Sequence, residues 1–271
     1  MEFETSDWKP HHVRRISELV RQTTGINLKQ NKEALIRARL MKRLRTLGIR
    51  RVADYLDWIA SDAGGNEIDC LIDVMTTNKT SFFREIEHFR FLRDSVLPHL
   101  TGARLRFWSA ACSSGEEPYT LAMVLCEHLP ELQNKDVRIL ATDISRRMLA
   151  KARQAVYPQA VVQEAPLPQY RKYFVPLHDG HSGSVRVSAE AQQLVHLAYL
   201  NLMAPWPMRG RFQVIFCRNV MIYFDRPTQQ TLIERFWEIL ETGGYLFVGH
   251  SEGLSAITHR FRYIRPAVYR K

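Results

Sequence analysis

A chain of 271 residues with 45% hydrophobic content has the length for one large domain, or for a modest domain beside a small one, and the composition of a folded protein. No stretch approaches the roughly 18 apolar residues of a membrane span, and the opening MEFETSDWKPHH carries acidic residues where a secretion signal carries positive ones, so the expected location is cytoplasmic. A net charge of +10 calls for a polyanionic partner, whether nucleic acid, acidic membrane or acidic protein.

Residues 10–100 read as almost wholly helical. HHVRRISELVRQTTG repeats apolar residues at helical spacing and stops at Gly25; LKQNKEALIRARLMKRLRTLG gives a second helix ending at Gly48. VADYLDWIAS and IDCLIDVMTTN give a third and a fourth. After Gly102 the pattern changes to short apolar runs alternating with helices: LRFWSAA, PYTLAMVLCEHL, VRILATD and SRRMLAKARQAV. That alternation is the mark of a parallel sheet wound with helices. It resumes with VHLAYLNL, QVIFCRN, PTQQTLIERFWEIL and GYLFVGH, and FRYIRPAVYRK reads as a last strand with a basic end. Between the halves, about residues 157–193, prolines and glycines accumulate, and YRKYFVPL and SVRVSAEA flank the turn-rich HDGHSG as a β-hairpin. The expected organisation is a basic helical domain over 1–100 and an α/β domain over 101–271, with the hairpin as an insertion.

Metal and redox chemistry have little support. Cys70, Cys112, Cys126 and Cys217 lack the paired spacing of zinc or dithiol sites and read as free thiols. The histidines form no ligand constellation; His250, after the FVG run, reads as structural.

The ends of the expected strands carry the site signals. The first strand runs into SAACSSGEEPYT, where Ala110–Gly115 are all small and let backbone approach a ligand. One glycine and the acidic pair Glu116 and Glu117 argue against a pyrophosphate and suit a cationic ligand, although a plain tight turn gives the same pattern. The second strand ends in Asp143, a carboxylate able to accept both hydroxyls of a ribose, or simply to cap the next helix. Asn201 and Leu202 end the third strand, where they can frame an adenine, and Arg218, Asn219 and Tyr223 follow the fourth. Ligands of such sheets bind outside the carboxyl ends of the strands, so these signals converge on one edge and on an adenosine without a pyrophosphate.

NKTSFFRE (78–85), FWSAACSSGEEPYTLA (107–122), ATDIS (141–145), FCRNVMIYF (216–224) and FVGHSE (247–252) together resemble the CheR family of chemoreceptor glutamate methyltransferases. The resemblance implies a Rossmann-like, class I S-adenosylmethionine-dependent methyltransferase domain with a small N-terminal all-helical domain and an inserted antiparallel β-subdomain. It implies that Asn78, Thr80, Arg84, Glu117, Asp143, Asn201, Leu202, Arg218, Asn219 and Val220 line the S-adenosylmethionine site, with Glu117 favoured over Glu116. It places Arg84 and Tyr223 beside the reacting carboxylate; a core tyrosine with a satisfied hydroxyl is the alternative for Tyr223. The products are glutamate methyl esters and S-adenosylhomocysteine. The implied partners are methyl-accepting chemotaxis receptors at their cytoplasmic helical bundle, with a C-terminal receptor peptide adding a strand to the β-subdomain in some members. A monomer recruited to receptor arrays follows, with no nucleic acid and no membrane insertion.

Residues 29–51 hold nine basic side chains against Glu33. At 3.6 residues per turn, Ile36, Leu40, Leu44 and Leu47 form an apolar stripe, and Lys32, Arg39, Lys42, Arg43 and Arg45 occupy an arc away from its middle. A solvated basic face and a nucleic-acid surface are the alternatives, the latter without interleaved aromatics for stacking. By resemblance this helix docks on the acidic methylation helices of the receptor. Two further readings of the whole stay open: methylation of nucleic acid by the same fold, and cofactor binding without catalysis.

Overall fold

The computed structural model describes residues 8–28, 33–61, 67–177 and 183–271. Internal contacts divide the chain into two compact units, one of residues up to Thr77 with Tyr223–Thr228, the other of Asn78–Ile222 with Gln229–Lys271.

The first unit contains four helices, α1 (Pro10–Thr24), α2 (Glu33–Leu47), α3 (Val52–Ile59) and α4 (Glu67–Met75). Pro10 at the first helical position of α1 gives up an N–H that has no helical acceptor, and Gly25, at φ 73°, closes the other end by donating its N–H to the Arg21 carbonyl. The apolar stripe of α2 is buried at Ile36, Leu40 and Leu44, while Met41 is buried where Leu47 is only partly so. Tyr55, Leu56, Leu71 and Ile72 complete this core. One polar cluster lies within it: Glu67, 5% exposed, accepts from the Arg43 guanidinium and from the Tyr55 hydroxyl at 2.9 Å. Burial makes that pairing obligatory, since an unmatched carboxylate there loses its hydration without compensation. In the Tyr223–Thr228 segment, the Tyr223 carbonyl accepts the Asn27 N–H at 2.7 Å and Phe224 bridges Ile26.

In the second unit the strands are β1 (Arg104–Ala110), β2 (Asp136–Asp143), β3 (Val156–Pro158), β4 (Phe174–Pro176), β5 (Ser184–Val187), β6 (Val195–Tyr199), β7 (Phe212–Cys217), β8 (Leu240–Val248), β9 (Arg262–Arg265) and β10 (Val268–Arg270). The helices continue as α5 (Glu87–Phe91), α6 (Glu116–His128), α7 (Arg146–Gln154), α8 (Pro168–Arg171), α9 (Ala189–Gln193) and α10 (Arg226–Ile239), which begins in the Tyr223–Thr228 segment. Seven strands form one sheet in the order β6-β2-β1-β7-β8-β10-β9. The first five are parallel, β10 runs antiparallel to β8, and β9 antiparallel to β10. With β2 and β6 on one side of β1 and β7 and β8 on the other, the strand order reverses beside β1, where such sheets open a ligand crevice. This is the Rossmann-like, class I methyltransferase architecture, with an all-helical N-terminal part and a separate antiparallel sheet, that the resemblance implied.

Strands buried on both faces need unbroken apolar runs, and Phe107, Trp108, Ile139, Val214, Phe216, Phe247 and Val248 supply them. Phe216 and Phe247 stack with centroids 4.4 Å apart. Trp108 buries completely because its indole N–H donates to the Thr142 hydroxyl at 2.9 Å.

Four expectations change. The C-terminal run is not one strand: Pro266 and Ala267, the latter at φ 62°, turn it into the β9–β10 pair. The inserted hairpin is present as β4 and β5, but β3 adds to β5 to make three strands. Val156, read as the end of a helix, opens β3 because Ala155 turns left-handed at φ 51°. Residues 78–100, read with the helices, lie in the second unit, where Asn78–Ile86 is an irregular segment before α5. The tip of HDGHSG, residues 178–182, falls outside the described residues. No helix among the described residues is long and apolar enough to cross a membrane.

Candidate active site

The carboxyl ends of β1, β2, β7 and β8 and the Asn78–Glu85 segment concentrate strained backbone. Five of the eight non-glycine residues with left-handed φ among the described residues are here: Phe83, Glu85, Ala111, Ser113 and Asn219. Each such residue costs of the order of 1 kcal/mol and persists only where the surroundings enforce it. Small side chains make the turn after β1 feasible, and Gly115, at φ 99°, ends it; a Cβ there would meet Ala152 Cβ and the Tyr157 hydroxyl at 2.9 Å.

Hydrogen bonds hold the turn. The Ser113 N–H donates to Asp143 Oδ2 at 2.7 Å, the Cys112 N–H to the Thr142 carbonyl at 2.9 Å, and the Tyr157 hydroxyl to the Ser114 carbonyl at 2.7 Å. The Ser113 hydroxyl donates to the Asn78 carbonyl at 3.1 Å. Asp143 Oδ1 accepts the Ser145 N–H at 2.8 Å, and it is Ser145, not Asp143, that caps α7, through the Met148 N–H. Asp143 therefore joins two strand ends. Each carboxylate oxygen can accept more than one bond, so this role leaves acceptor capacity for a ribose.

The acidic pair separates by function. Glu116 accepts from the Ser114 hydroxyl. Glu117 accepts from the Ser109 hydroxyl at 2.7 Å and pairs with Arg218 Nη1 at 3.1 Å. Burial pushes both carboxyls above the usual range, opposed at Glu117 chiefly by Arg218. Arg218, whose side chain is 1% exposed, spans from Glu117 to Glu85 Oε2 at 3.1 Å and also donates to the Arg84 carbonyl. Burial works to raise Glu85, but Arg218, Asn219 and His250 outweigh it and hold its carboxyl below the ordinary range. The Arg84 guanidinium donates to the Lys79 carbonyl at 3.0 Å.

Asn219 is held twice. Its side-chain amide donates to Glu85 Oε1 at 3.2 Å and its backbone N–H to Glu252 Oε2 at 2.6 Å. Glu252, buried at 7% exposure, also accepts from the Gly249 and Ile222 N–H groups.

Hydrogen bonds and ion pairs thus form two groups, Asn78 with Asp143 through Ser113, and Arg84, Glu117 and Asn219 with Arg218, the last through Glu85; Thr80 and Val220 lie on the same segments. Asn201 and Leu202 follow the edge strand β6: Asn201 Oδ1 accepts the Met203 N–H at 2.9 Å, and the carbonyl of buried Leu202 accepts from Trp206 and Arg235. Tyr223 belongs to the segment grouped with the helical unit. On α2, Arg43 is committed to Glu67, and Arg39 donates to the Met75 carbonyl at 2.6 Å and the Thr77 hydroxyl at 3.0 Å. Lys42 and Arg45 are exposed, and Lys32 lies outside the described residues.

Sequence reasoning missed Ser109, Glu85, His88 and Glu252. Glu85 and Glu252 sit within quoted motifs, but their partners lie 134 and 33 residues away, so no local spacing reveals the pairing. His88, 2% exposed, has no hydrogen bond at either ring nitrogen; its Nδ1 is 3.5 Å from Glu85 Oε2. Glu85, His88 and His250 bring ligand atoms within 4.8 Å of one another, yet Arg218 already neutralises Glu85 and would repel a divalent ion. The described thiols of Cys112 and Cys217 are buried, which pushes them far from nucleophilic ionisation.

The donor set decides which ligand fits. Glu85, Glu117 and Asp143 outnumber Arg218, and the turn after β1 presents no lysine or arginine to a phosphate. Such an edge suits an adenosine bearing cationic sulfonium and ammonium groups.

Comparison with known proteins agrees. Residues 11–76 match the family profile described as CheR methyltransferase, all-alpha domain, and residues 78–269 match CheR methyltransferase, SAM binding domain. The chain is 39% identical to a probable chemotaxis protein methyltransferase of Rhizobium etli over 93% of this chain and 96% of that protein. It is 40% identical to the chemotaxis protein methyltransferase of Escherichia coli (95% and 90%) and 41% identical to that of Klebsiella aerogenes (95% and 88%). The cofactor is S-adenosylmethionine.

Proposed function

The chain belongs to the CheR methyltransferase family, and on that premise we propose that it methylates glutamate side chains on the cytoplasmic helical bundle of chemoreceptors, giving glutamate methyl esters. The observation that carries this reading is the acidic strand-end edge of the S-adenosylmethionine-binding domain, in which Glu85 and Glu117 pair with a buried Arg218, Asp143 holds the turn after β1, and no His–Asp or Cys–His pair among the described residues stands ready as a base. A glutamate acceptor needs no base, because with an unperturbed pKa of about 4.3 it is already ionised at neutral pH.

When bound, S-adenosylmethionine supplies an activated methyl group on a positively charged sulfur. The work left to the protein is to desolvate and aim the acceptor carboxylate, and well-held reactants gain roughly 7–11 kcal/mol from alignment. Asp143 accepts the ribose hydroxyls, Glu117 with Arg218 and Arg84 holds the charged end of the cofactor, and Asn201 and Leu202 frame the adenine. Arg84 orients rather than clamps the acceptor: negative charge is lost during transfer, so a tight ion pair would stabilise the ground state. The Tyr223 hydroxyl aims the acceptor oxygen. The exposed cations of α2, Lys42 and Arg45 foremost, draw the acidic receptor helix. The antiparallel sheet of β3, β4 and β5 offers an edge to a receptor peptide, which raises local concentration.

Tyr223→Phe separates binding from chemistry. S-adenosylmethionine affinity by calorimetry should stay within twofold while turnover on a receptor fragment falls at least tenfold. Unchanged turnover would remove Tyr223 from the reaction, and binding without any turnover in the wild type would favour a scaffold. Nucleic acid is the competing acceptor because of the +10 charge, but the Asn219–Ile222 loop has no proline of the kind that adenine methylases carry.

A further inference from the structure

Glu252 closes a loop with its own charge. Its Oε2 accepts the N–H groups of Asn219 at 2.6 Å and Gly249 at 2.7 Å, and its Oε1 accepts the Ile222 N–H at 3.0 Å. Backbone N–H groups from two separate segments thus converge on one anion, and the anion is a side chain of the same protein. The seat is tailored. A Cβ on Gly249 would fall 2.5 Å from Glu252 Oε2 and 2.7 Å from Asn219 Nδ2, so only glycine lets the carboxylate reach both. Asn219 meanwhile stands at φ 60°, with its side-chain amide tied to Glu85. A left-handed asparagine held at backbone and side chain by two different glutamates is a fixed element, not a relaxed turn.

We propose that Glu252 is a positioning residue for methyl transfer: seated on the N–H groups of Asn219, Ile222 and Gly249, its carboxylate holds the Asn219–Ile222 loop in the shape that receives the cofactor. The proposal rests on the reading of Asn219 and Val220 as cofactor-lining. In this role Glu252 acts through the loop whose N–H groups it accepts.

Glutamine at 252 is a sharp probe because both oxygens are in use. Whichever way its amide is turned, an NH2 group faces a backbone N–H, donor against donor. The experiment is calorimetry with S-adenosylmethionine on full-length protein, comparing wild type, Glu252→Gln, Asn219→Ala and the double variant, each verified as folded by circular dichroism. Glu252→Gln should bind at least tenfold more weakly. In the double variant the losses should not add, because Glu252 through the backbone and the Asn219 side chain through Glu85 hold the same loop, and loosening it once leaves little for the second change to undo; general destabilisation leaves them additive. Should Glu252→Gln fail to fold, Gly249→Ala displaces the same carboxylate and is read in the same cycle. Wild-type affinity in Glu252→Gln, or additive losses, would overturn the role of Glu252 alone. Wild-type protein that binds no S-adenosylmethionine would overturn the reading of the loop, and this proposal with it.

Discussion

His88 is the residue whose ionisation the fold controls most strongly. Burial first, and Arg218 second, lower its pKa from 6.5 to about 3. The unfolded chain takes up that proton near pH 6.5 and the folded chain only near pH 3, so between those values the unfolded state binds more protons. The contribution of neutral His88 to stability is therefore intact above pH 6.5 and is lost as pH falls, at about 1.4 kcal/mol per pH unit. Glu117 and Glu252, whose carboxyls are raised, work in the opposite sense above the ordinary carboxylate range, so the informative quantity is a difference. His88→Phe should gain on the wild type in thermal melts as pH is lowered from 6.5 towards 4; a gap that does not change with pH would contradict this. None of it was legible in the sequence, where EIEHFRF puts Glu85 three residues before His88 but shows neither the burial of the ring nor Arg218 beside it. Asp143 and Glu117 were legible as acidic residues at a strand end and at a helix start, positions that local pattern does fix. That Glu117 pairs with Arg218, 101 residues on, follows only from the sheet bringing β1 beside β7.

At the scale of elements, α2 shows both the reach and the limit of periodicity. Helical spacing gave the buried stripe of Ile36, Leu40 and Leu44 and the basic arc opposite. It could not say which cations a partner in the same unit would occupy. Arg43 is taken by Glu67, 24 residues on, and Arg39 by the Met75 carbonyl, 36 residues on. Substitution on this helix should therefore split. Lys42→Glu with Arg45→Glu should raise the KM for a receptor fragment at least tenfold and leave S-adenosylmethionine affinity by calorimetry within twofold; an unchanged KM would remove these cations from docking. Arg43→Glu should instead lower stability by about 3 kcal/mol in urea unfolding, because Glu67 and Tyr55 would face a second buried negative charge. The same limit explains the missed strands. Apolar runs announced β1, β2, β7 and β8, but β3 and β10 are three residues long and are made strands by left-handed Ala155 and Ala267, to which alanine's composition gives no clue.

At the scale of the whole molecule, the alternation of strands and helices was enough to announce a wound parallel sheet, and strand order then follows from packing that no single segment encodes. The order reverses beside β1, and the sequence signals at the strand ends become one acidic edge only once β1, β2 and β7 are neighbours. The molecule as a whole is strongly basic at +10, while this edge is carboxylate-rich, so overall charge and site charge answer to different ligands: a cationic cofactor within and, on the function proposed above, an acidic protein helix outside. The central claim, carboxyl methylation of chemoreceptors, is tested most directly by incubating the protein with methyl-labelled S-adenosylmethionine and chemoreceptor-rich membranes, then treating with mild alkali. Label that enters receptor protein and leaves as methanol is the predicted result. Label that stays on protein through alkali, or that enters nucleic acid instead, would contradict it.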